Sequence, residues 1–376
     1  MDFVISRSHD RLCVFNDMGE GKLKTAVLGL NADGQLLLEA ARQMDYFQIE
    51  AVADKDTNLA EKIAAEYECA AFDDYRQLIT TMDSRLHEND IRCLLVAAGM
   101  HSCEEYVRMA MKKKFNILKM APAARDFEEA AELVCLGEDE NIKFAIANPG
   151  RFARSFLALR ELLEQGWLEQ VFLITAFSNA GDQPYPRWQS DPKLAGGGVL
   201  LQNCYGMIDQ IMSNFGMPQQ VYSLNTNQAQ DKQQRLYLTE DTAVVTMKFS
   251  DTFIGNLVAS RRGGIGPREE FLRLYGKDKI LTVDEKRLTV SDSLGQVSEE
   301  SEYDDDQLIC MRKVLENFAL SILSPDKNEL CSSGRENLKD MAVIESAYLS
   351  ARTAMPEEPA RVLQMASRRA GKAGGI

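Results

Sequence analysis

Three consecutive glycines, Gly196 to Gly198, open the stretch of this chain with the clearest capacity for binding chemistry. Glycine lets the backbone approach a ligand closely, and the first turn of a following helix leaves N–H groups free to donate to that ligand. Apolar side chains recur near helical spacing after the glycines, which predicts a single helix over 199–214. Tyr205, Cys204 and Asp209 are the side chains of this segment that could carry a proton.

A loop just before the glycines carries Tyr185, Arg187 and Trp188, residue types that suit a sugar ring. An indole offers an apolar face, and a guanidinium donates hydrogen bonds to hydroxyls or carboxylates. The alternative is a surface loop that its aromatic side chains hold in place.

Arginines also surround a glycine-rich loop over 263–266, namely Arg261, Arg262 and Arg268. They could meet an anionic group of a ligand. The alternative is a solvated turn, which is a common use of such a glycine-rich sequence.

A second candidate site begins at Gly29, which ends a predicted strand over 25–28 and opens the sequence Gly-Leu-Asn-Ala-Asp-Gly. A helical pattern follows as far as residue 44, and then a strand over 49–53 ends at Asp54. Strand, glycine turn, helix, strand and acid in this order are typical of a dinucleotide-binding unit, in which the acid binds the ribose hydroxyls. The alternative is that Asp54 is merely a polar residue at a strand end.

Gly29, Asn31 and Gly34 occupy the three positions of this turn that are normally glycine. The middle glycine lets the backbone contact the pyrophosphate, so we expect Asn31 to crowd that position, although asparagine tolerates left-handed backbone angles. NAD is therefore predicted to bind weakly, or its binding has been lost. Asp54 favours NAD over NADP, because a carboxylate there repels the 2′-phosphate.

The elements that position these residues fall into two predicted domains. Strands alternate with helices over 23–147, which indicates an α/β Rossmann domain with a parallel sheet. Consecutive strands over 148–355 predict an α+β domain with a large, mostly antiparallel open sheet. A hairpin or mobile arm is expected over 1–22, and a C-terminal tail over 356–376, disordered in its basic part.

Composition excludes several classes of function. A net charge of −14 argues against nucleic-acid binding. No apolar run approaches the ~20 residues of a membrane helix, and the N-terminus lacks a signal-peptide pattern. None of the eight cysteines forms a C-x-x-C pair, so reduced thiols in the cytoplasm are expected. The three histidines show no spacing with carboxylates that indicates a metal site, and none is predicted.

The order of these landmarks resembles the Gfo/Idh/MocA family, named for glucose-fructose oxidoreductase and inositol dehydrogenase, from about residue 23 to 355. The resemblance rests on the glycine turn, Asp54, Pro122 after its strand, Arg151-Phe152, the Tyr185–Trp188 loop, the triple glycine, Asp209 and the last helix around 346–351. It implies NAD(P)-dependent oxidation of sugars, polyols or related compounds, and a dimer or tetramer formed through the open sheet. It also implies cofactor contacts from Ala98 and Pro122, and substrate contacts from Arg151, Gln202 and Asp209.

Three catalytic positions of that family hold other residues in this chain. The resemblance places the family's lysine at Ala121, its aspartate at Gln202 and its histidine at Gly206. The Thr-Pro pair that closes over the nicotinamide ribose is Ala98-Gly99 here. The usual groups for removing a hydroxyl proton are therefore missing.

The substitutes available near these positions are Lys119, Tyr205 and Asp209. Lys119 precedes the lysine position by two residues and shares its face of the strand. The alternative is that Lys119 is a surface or strand-edge charge, since lysines are seldom buried. Three hypotheses remain open: a divergent NAD-dependent oxidoreductase, a non-catalytic sensor of a sugar or nucleotide (or a partner subunit), and an enzyme of another reaction class in the same cleft.

Overall fold

The structure is a computed structural model that describes residues 22–87, 90–181, 185–236, 238–262 and 266–364. The arm expected over 1–22 and the disordered basic segment expected after 367 lie outside these described residues, apart from Lys22. Two sheets of different construction make up the fold, which confirms the predicted succession of a Rossmann domain and an α+β domain.

The first sheet has six parallel strands in the order β3-β2-β1-β4-β5-β6. Its elements are β1 (Leu23–Leu28), α1 (Ala32–Arg42), β2 (Phe47–Ala53), α2 (Thr57–Glu66), β3 (Ala70–Phe72), α3 (Tyr75–Arg85), β4 (Arg92–Val96), α4 (Met100–Lys112), β5 (Asn116–Met120), α5 (Phe127–Asp139) and β6 (Phe144–Ala147). The strand order reverses between β1 and β4, and ligands of such sheets bind outside the carboxyl ends of the strands at this point.

The second sheet has eight strands in the order β14-β13-β12-β11-β7-β10-β9-β8, and all of its pairs are antiparallel except β7 with β10. Its strands are β7 (Leu173–Asn179), β8 (Gln220–Thr226), β9 (Thr242–Lys248), β10 (Ile254–Ser260), β11 (Glu269–Tyr275), β12 (Lys279–Val283), β13 (Arg287–Asp292) and β14 (Val297–Glu302). The helices of this half are α6 (Arg154–Glu164), α7 (Pro192–Ala195), α8 (Val199–Gln202), α9 (Tyr205–Phe215), α10 (Lys232–Leu236), α11 (Gln307–Leu323) and α12 (Gly334–Thr353).

Alternation along these strands separates a buried face from an outward one. Val245 and Leu257 lie in the core that also contains residues of α6, α9 and α12, whereas their neighbours Val244 and Ile254 are exposed. Successive strand residues point to opposite faces of the sheet, so one face is covered by helices and the other is open.

Helix α11 returns from the second half of the chain to the Rossmann domain. Met311, Leu315 and Phe318 of α11 are buried in one cluster with Leu37 and Leu38 of α1. The second half of the chain thus completes the apolar covering of the parallel sheet.

Three details differ from the sequence-based expectations. The single helix predicted over 199–214 is wrong: α8 and α9 are separate, and the chain breaks between them at Asn203 and Cys204. Strand β14 was not predicted, because its sequence Val-Ser-Glu-Glu-Ser-Glu is acidic and exposed and lacks an apolar alternation. Farther on, Glu357 pairs with Val221 and Val362 is buried, so part of the segment assigned to the tail packs on the sheet.

Candidate functional site

The glycine turn after β1 is built so that larger residues do not fit. Gly29 has a φ of 84°, and a Cβ there would overlap the backbone of Ala98. A Cβ on Gly34 would overlap the carbonyl oxygen of Gly29. The turn is therefore held tightly between the start of α1 and the end of β4, at the edge where a dinucleotide binds.

Asn31 turns its side chain into this loop. Its Oδ1 accepts a hydrogen bond from the Gly34 N–H at 3.0 Å, and its Nδ2 donates to the Ala97 carbonyl at 3.0 Å. The residue caps α1 with a φ of −61°, so the tolerance for left-handed angles invoked from the sequence is not used. Both polar atoms are thus occupied inside the turn, and any crowding of a pyrophosphate comes from the Cβ position alone.

Asp54 lies at the carboxyl end of β2 and faces the same turn. Its carboxylate accepts from the Leu30 N–H at 2.7 Å and from the Asp56 N–H at 3.0 Å. These bonds fix the carboxylate next to the glycine turn, where the acid of a dinucleotide site binds ribose hydroxyls. The tight turn, the start of α1 and this carboxylate together fit a nicotinamide dinucleotide.

His101 and Trp188 meet across the two domains at the carboxyl edge of the parallel sheet. Their ring centroids lie 4.6 Å apart with an interplanar angle of 32°. A Cβ on Gly99 would come within 2.9 Å of the imidazole and 3.6 Å of the indole, so the two rings pack over the Ala98-Gly99 turn. Burial, and to a smaller extent Lys55, lowers the pKa of His101, which favours the neutral imidazole. Sequence reasoning treated His101 only as a poor metal ligand, although its place in the first turn after β4 was a usable signal.

Lys119 is buried, with 4% of its surface exposed, and its ammonium is used inside the domain. Its Nζ donates to the Pro122 carbonyl at 2.6 Å, and burial lowers the pKa of the group. The Ala121-Pro122 peptide bond is cis, and Ala121 packs against the core beside Lys119. The Lys119 amine is therefore bonded to backbone carbonyls at the strand end, and the alternative of a surface charge is wrong.

The triple glycine serves contacts within the protein. A Cβ would overlap Arg125 at Gly196, the Tyr348 hydroxyl at Gly197 and Glu240 at Gly198. The expectation that these glycines leave N–H groups free for a ligand is wrong at the start of α8.

Glu240 takes those N–H groups instead. Its carboxylate accepts from the Gly198 N–H at 2.7 Å and from the Leu200 N–H at 3.0 Å, and the Tyr348 hydroxyl donates to it at 2.9 Å. Burial raises the pKa of this carboxyl group. Sequence reasoning did not identify Glu240, because it lies 42 residues beyond Gly198 and reaches it only in the folded chain.

Gln202 and Gly206 stand where the resemblance places the catalytic acid and base. The Gln202 amide donates to the Ala195 carbonyl at 2.7 Å. Gly206 is exposed, and nothing lies within 4 Å of a Cβ built on it. The break between α8 and α9 also separates these positions, so they do not lie on one continuous helix.

Asp209 and Arg151 form a buried ion pair. Asp209 is 0% exposed, and the Arg151 guanidinium donates to its carboxylate from Nε at 2.9 Å and from Nη2 at 2.6 Å. Arg151 also binds Glu336 at 2.7 Å. A pair so enclosed joins the segment after β6 to α9, and both partners are already occupied as binding groups.

Tyr205 belongs to the same buried network. Its hydroxyl donates to Asn337 Oδ1 at 2.9 Å, and burial together with Asp340 and Asp209 raises its pKa well above the ordinary value. The pKa of Asp340 is raised by burial and by the neighbouring Asp209. The tyrosine therefore holds its proton firmly.

The residues of the predicted sugar loop lie in different places in the structure. Trp188 enters the cleft against His101, Arg187 is exposed, and Tyr185 is 42% exposed with its ring centroid 4.4 Å from the Arg261 guanidinium. Of the residues predicted from sequence, those of the glycine turn, Asp54, Ala98 and Trp188 line one edge. Lys119, Tyr205, Asp209 and Arg151 are engaged in the interior.

The described part of the chain contains neither a metal site nor a membrane-spanning helix. Within it, no three His, Cys, Asp or Glu side chains are grouped in a way that could hold a metal ion. Nor is any helix in those ranges long and apolar enough to cross a membrane.

Two family models match this chain. One, described as an oxidoreductase family with an NAD-binding Rossmann fold, matches residues 23–147. The other, described as the C-terminal alpha/beta domain of the same oxidoreductase family, matches residues 160–358.

Curated relatives are uncharacterized oxidoreductases. One from Schizosaccharomyces pombe is 27% identical over 147 residues, 38% of this chain and 39% of that protein. YhhX of Escherichia coli is 25% identical over 140 residues, 37% of this chain and 40% of that protein. The matched segment thus spans about two fifths of the length of these relatives.

Solved structures share the fold over nearly their whole length. An oxidoreductase of Agrobacterium radiobacter in complex with NAD+, L-tartaric acid and magnesium has a TM-score of 0.75 at 17% identity, covering 90% of this chain and 99% of that one. Levoglucosan dehydrogenase in complex with NADH and levoglucosan has a TM-score of 0.76 at 16% identity, with the same coverage. WlbA dehydrogenase of Bordetella pertussis, in complex with NADH and UDP-GlcNAcA, has a TM-score of 0.73 at 15% identity, covering 90% and 98%.

Proposed function

Since this chain belongs to the Gfo/Idh/MocA oxidoreductase family, we propose that it is a divergent NAD-dependent oxidoreductase acting on a sugar, a polyol or a derivative of one. The observation that carries the proposal is the cleft edge formed by the glycine turn, Asp54 and the His101–Trp188 stack. It keeps the features needed to bind a dinucleotide while the usual acid-base groups are replaced.

In the proposed complex, Gly29 and Gly34 keep the turn tight against the end of β4 and the start of α1, the pyrophosphate binds at that helix start, and Asp54 accepts from the ribose hydroxyls. Bound NAD supplies the acceptor for a hydride. NAD is proposed rather than NADP, because the Asp54 carboxylate repels a 2′-phosphate. Binding is expected to be weak, because Asn31 keeps a Cβ where the middle glycine would have none.

The substrate's hydroxyl proton must leave as its carbon gives up hydride. Lys119, Tyr205 and Asp209, the candidates from sequence, would each have to leave an internal bond before accepting that proton. His101 differs from them because its imidazole is exposed at the cleft edge and favours the neutral form. Within this proposal His101 takes the proton, and Trp188 holds the imidazole in place and presents an apolar face to the sugar.

A second candidate function is a non-catalytic sensor or partner subunit that binds a sugar or nucleotide on the same fold. What favours it is the replacement of three positions at once by Ala121, Gln202 and Gly206. In both functions we propose a homodimer or homotetramer through the open sheet face and a cytoplasmic location.

The deciding experiment is a calorimetric titration of the full chain with NAD and with NADP, followed by an absorbance assay for NADH with a panel of sugars, polyols and sugar acids. NAD binding with turnover supports the oxidoreductase. NAD or sugar binding without turnover of any panel member supports the sensor. Absence of both nucleotide and sugar binding contradicts both functions.

A further inference from the structure

Arg261 follows β10 and is buried, with 4% of its surface exposed. Its Nη2 donates to the hydroxyl of Thr239 and, at 3.3 Å, to the carbonyl of Gln189. Its Nε and Nη1 are buried as well, and the described residues provide no hydrogen-bond partner for either atom. Nη2 carries only two of the five N–H donors of a guanidinium, so the other three are open.

A buried guanidinium destabilises the folded protein unless hydrogen bonds or an opposite charge compensate for its lost hydration. Removing a charged group from water is unfavourable, and the hydrogen bonds of a single nitrogen do not offset that cost. The Tyr185 ring, 4.4 Å from the guanidinium, supplies a cation–π contact, which offsets part of it. An arginine that served only to hold Gln189 and Thr239 would not need its remaining donors in the interior.

The neighbouring carboxylates are directed elsewhere. Glu240 accepts from the Gly198 and Leu200 N–H groups. The Asp241 carbonyl accepts from the Arg261 N–H, but the Asp241 carboxylate bonds to the Thr242 hydroxyl. Within the described residues Arg261 therefore has no anionic partner of its own.

Arg261 is also bonded to the segment that carries Trp188, a residue of the cleft. Gln189, whose carbonyl it binds, belongs to the single turn Arg187–Ser190. The residue before it, Trp188, stacks on His101 at the carboxyl edge of the parallel sheet. Tyr185 is half exposed, and its ring lies against the guanidinium. A ligand in the cleft that displaced the Tyr185 ring would meet the open donors.

We propose that Arg261 binds the carboxylate of the substrate, and that the ligand of this cleft is an acid sugar, an aldonate or a uronate, rather than a neutral sugar. This inference rests on the proposed function in that it places the ligand in the same cleft. A ligand carboxylate accepts charge-assisted hydrogen bonds from Nε or Nη1 and supplies the counter-charge that the protein does not. Tyr185 then acts as a cover that leaves the guanidinium when the ligand arrives.

The test is a set of calorimetric titrations of the full chain, with NAD present and absent, using D-glucuronate, D-gluconate, D-glucose and the methyl ester of glucuronate. We expect at least one acid to bind about tenfold or more tightly than the neutral compounds, because a hydrogen bond to a charged group contributes that much. Arg261→Gln should remove this preference. Arg262→Gln, at the adjacent exposed position, is the matched control and should keep it.

Arg261→Lys covers the case in which Arg261→Gln fails to fold, since it keeps the charge but not the fork of donors. It should reduce the preference while leaving the circular dichroism spectrum intact. Equal binding of acids and neutral sugars by the wild-type protein overturns the inference, as does an acid preference that Arg261→Gln or Arg261→Lys retains. Binding of an acid without NADH formation contradicts the proposed oxidation but leaves this inference standing. Turnover of neutral sugars without an acid preference overturns this inference and supports the proposed oxidation.

Discussion

The indole of Trp188 stacks on the imidazole of His101 with ring centroids 4.6 Å apart, so a side chain of the second domain closes on the first turn of α4. This contact links the predicted sugar loop to the edge where the cofactor is proposed to bind. It also makes Trp188 a reporter for the protonation of His101.

We expect the fluorescence of Trp188 to change with an inflection below pH 6.5, the ordinary pKa of histidine, because burial lowers the pKa of His101. As pH falls through that lowered value, the imidazole gains a proton and the stack becomes a cation–π contact. The measurement uses Trp167→Phe, which removes the other tryptophan. His101→Gln should abolish the inflection, and an inflection above pH 6.5 contradicts the assignment.

Proton transfer by His101 makes a kinetic prediction for whichever panel compound is oxidised. His101→Gln should lower kcat by about 100- to 10,000-fold, the usual contribution of a general base. In the wild-type protein kcat should rise with pH through the lowered pKa and then level off, because the neutral imidazole is the active form. Lys119→Ala and Tyr205→Phe are the comparison variants. A larger loss of kcat in either variant would assign the role of general base to the residue replaced in that variant.

Two substitutions of Asn31 distinguish the crowding of the pyrophosphate by its Cβ from the capping of α1 by its side chain. Asn31→Gly should tighten NAD binding, because it removes the Cβ at the pyrophosphate position. Asn31→Ala keeps that Cβ but loses the cap on α1, so it should cost about 1 kcal/mol of unfolding free energy without tightening NAD. Calorimetry and urea denaturation measure the two quantities. Equal NAD affinity in both variants would refute the steric explanation.

The open position at Gly206 allows the family's catalytic set to be rebuilt. If the ligand is an acid sugar, as proposed for Arg261, the unmodified protein should form no NADH from neutral aldoses or polyols. Ala121→Lys, Gln202→Asp and Gly206→His together should yield measurable turnover if the cleft admits such a sugar. Gly206→Ala in place of Gly206→His is the control, since it adds a Cβ at the same position without an imidazole. Robust turnover of neutral sugars by the unmodified protein would contradict the divergence of the site.

Asp340 gives a pH dependence of stability. Its pKa in the folded protein is raised above the ordinary 3.8, so between that pH and its folded pKa the unfolded chain binds fewer protons. The free energy of unfolding should therefore fall as pH rises through this window. Asp340→Asn keeps a donor beside Asp209 but does not titrate, and should lose less stability between pH 4 and pH 7. Urea denaturation at several pH values checks this, and parallel curves for the two proteins would refute it.

The order of elements could be predicted because it depends on short-range patterns. The apolar run before Gly29 and the acid of Asp54 identify the dinucleotide unit without any knowledge of distant contacts. The roles of side chains in the second half could not, because they depend on partners far along the chain. Glu240 at the Gly198 N–H and Asn337 at the Tyr205 hydroxyl are separated from these groups by 42 and 132 residues. A sequence pattern identifies such residues only as polar.

The packing of α11 on α1 has a consequence for how this chain can be divided. Met311, Leu315 and Phe318 cover part of the apolar face of α1, although they belong to the half of the sequence that follows the second sheet. A fragment ending near residue 150 would expose Leu37 and Leu38 to water. The Rossmann half therefore depends on α11 for part of its apolar covering, and gene fusions or truncations that cut between the two halves would remove that covering.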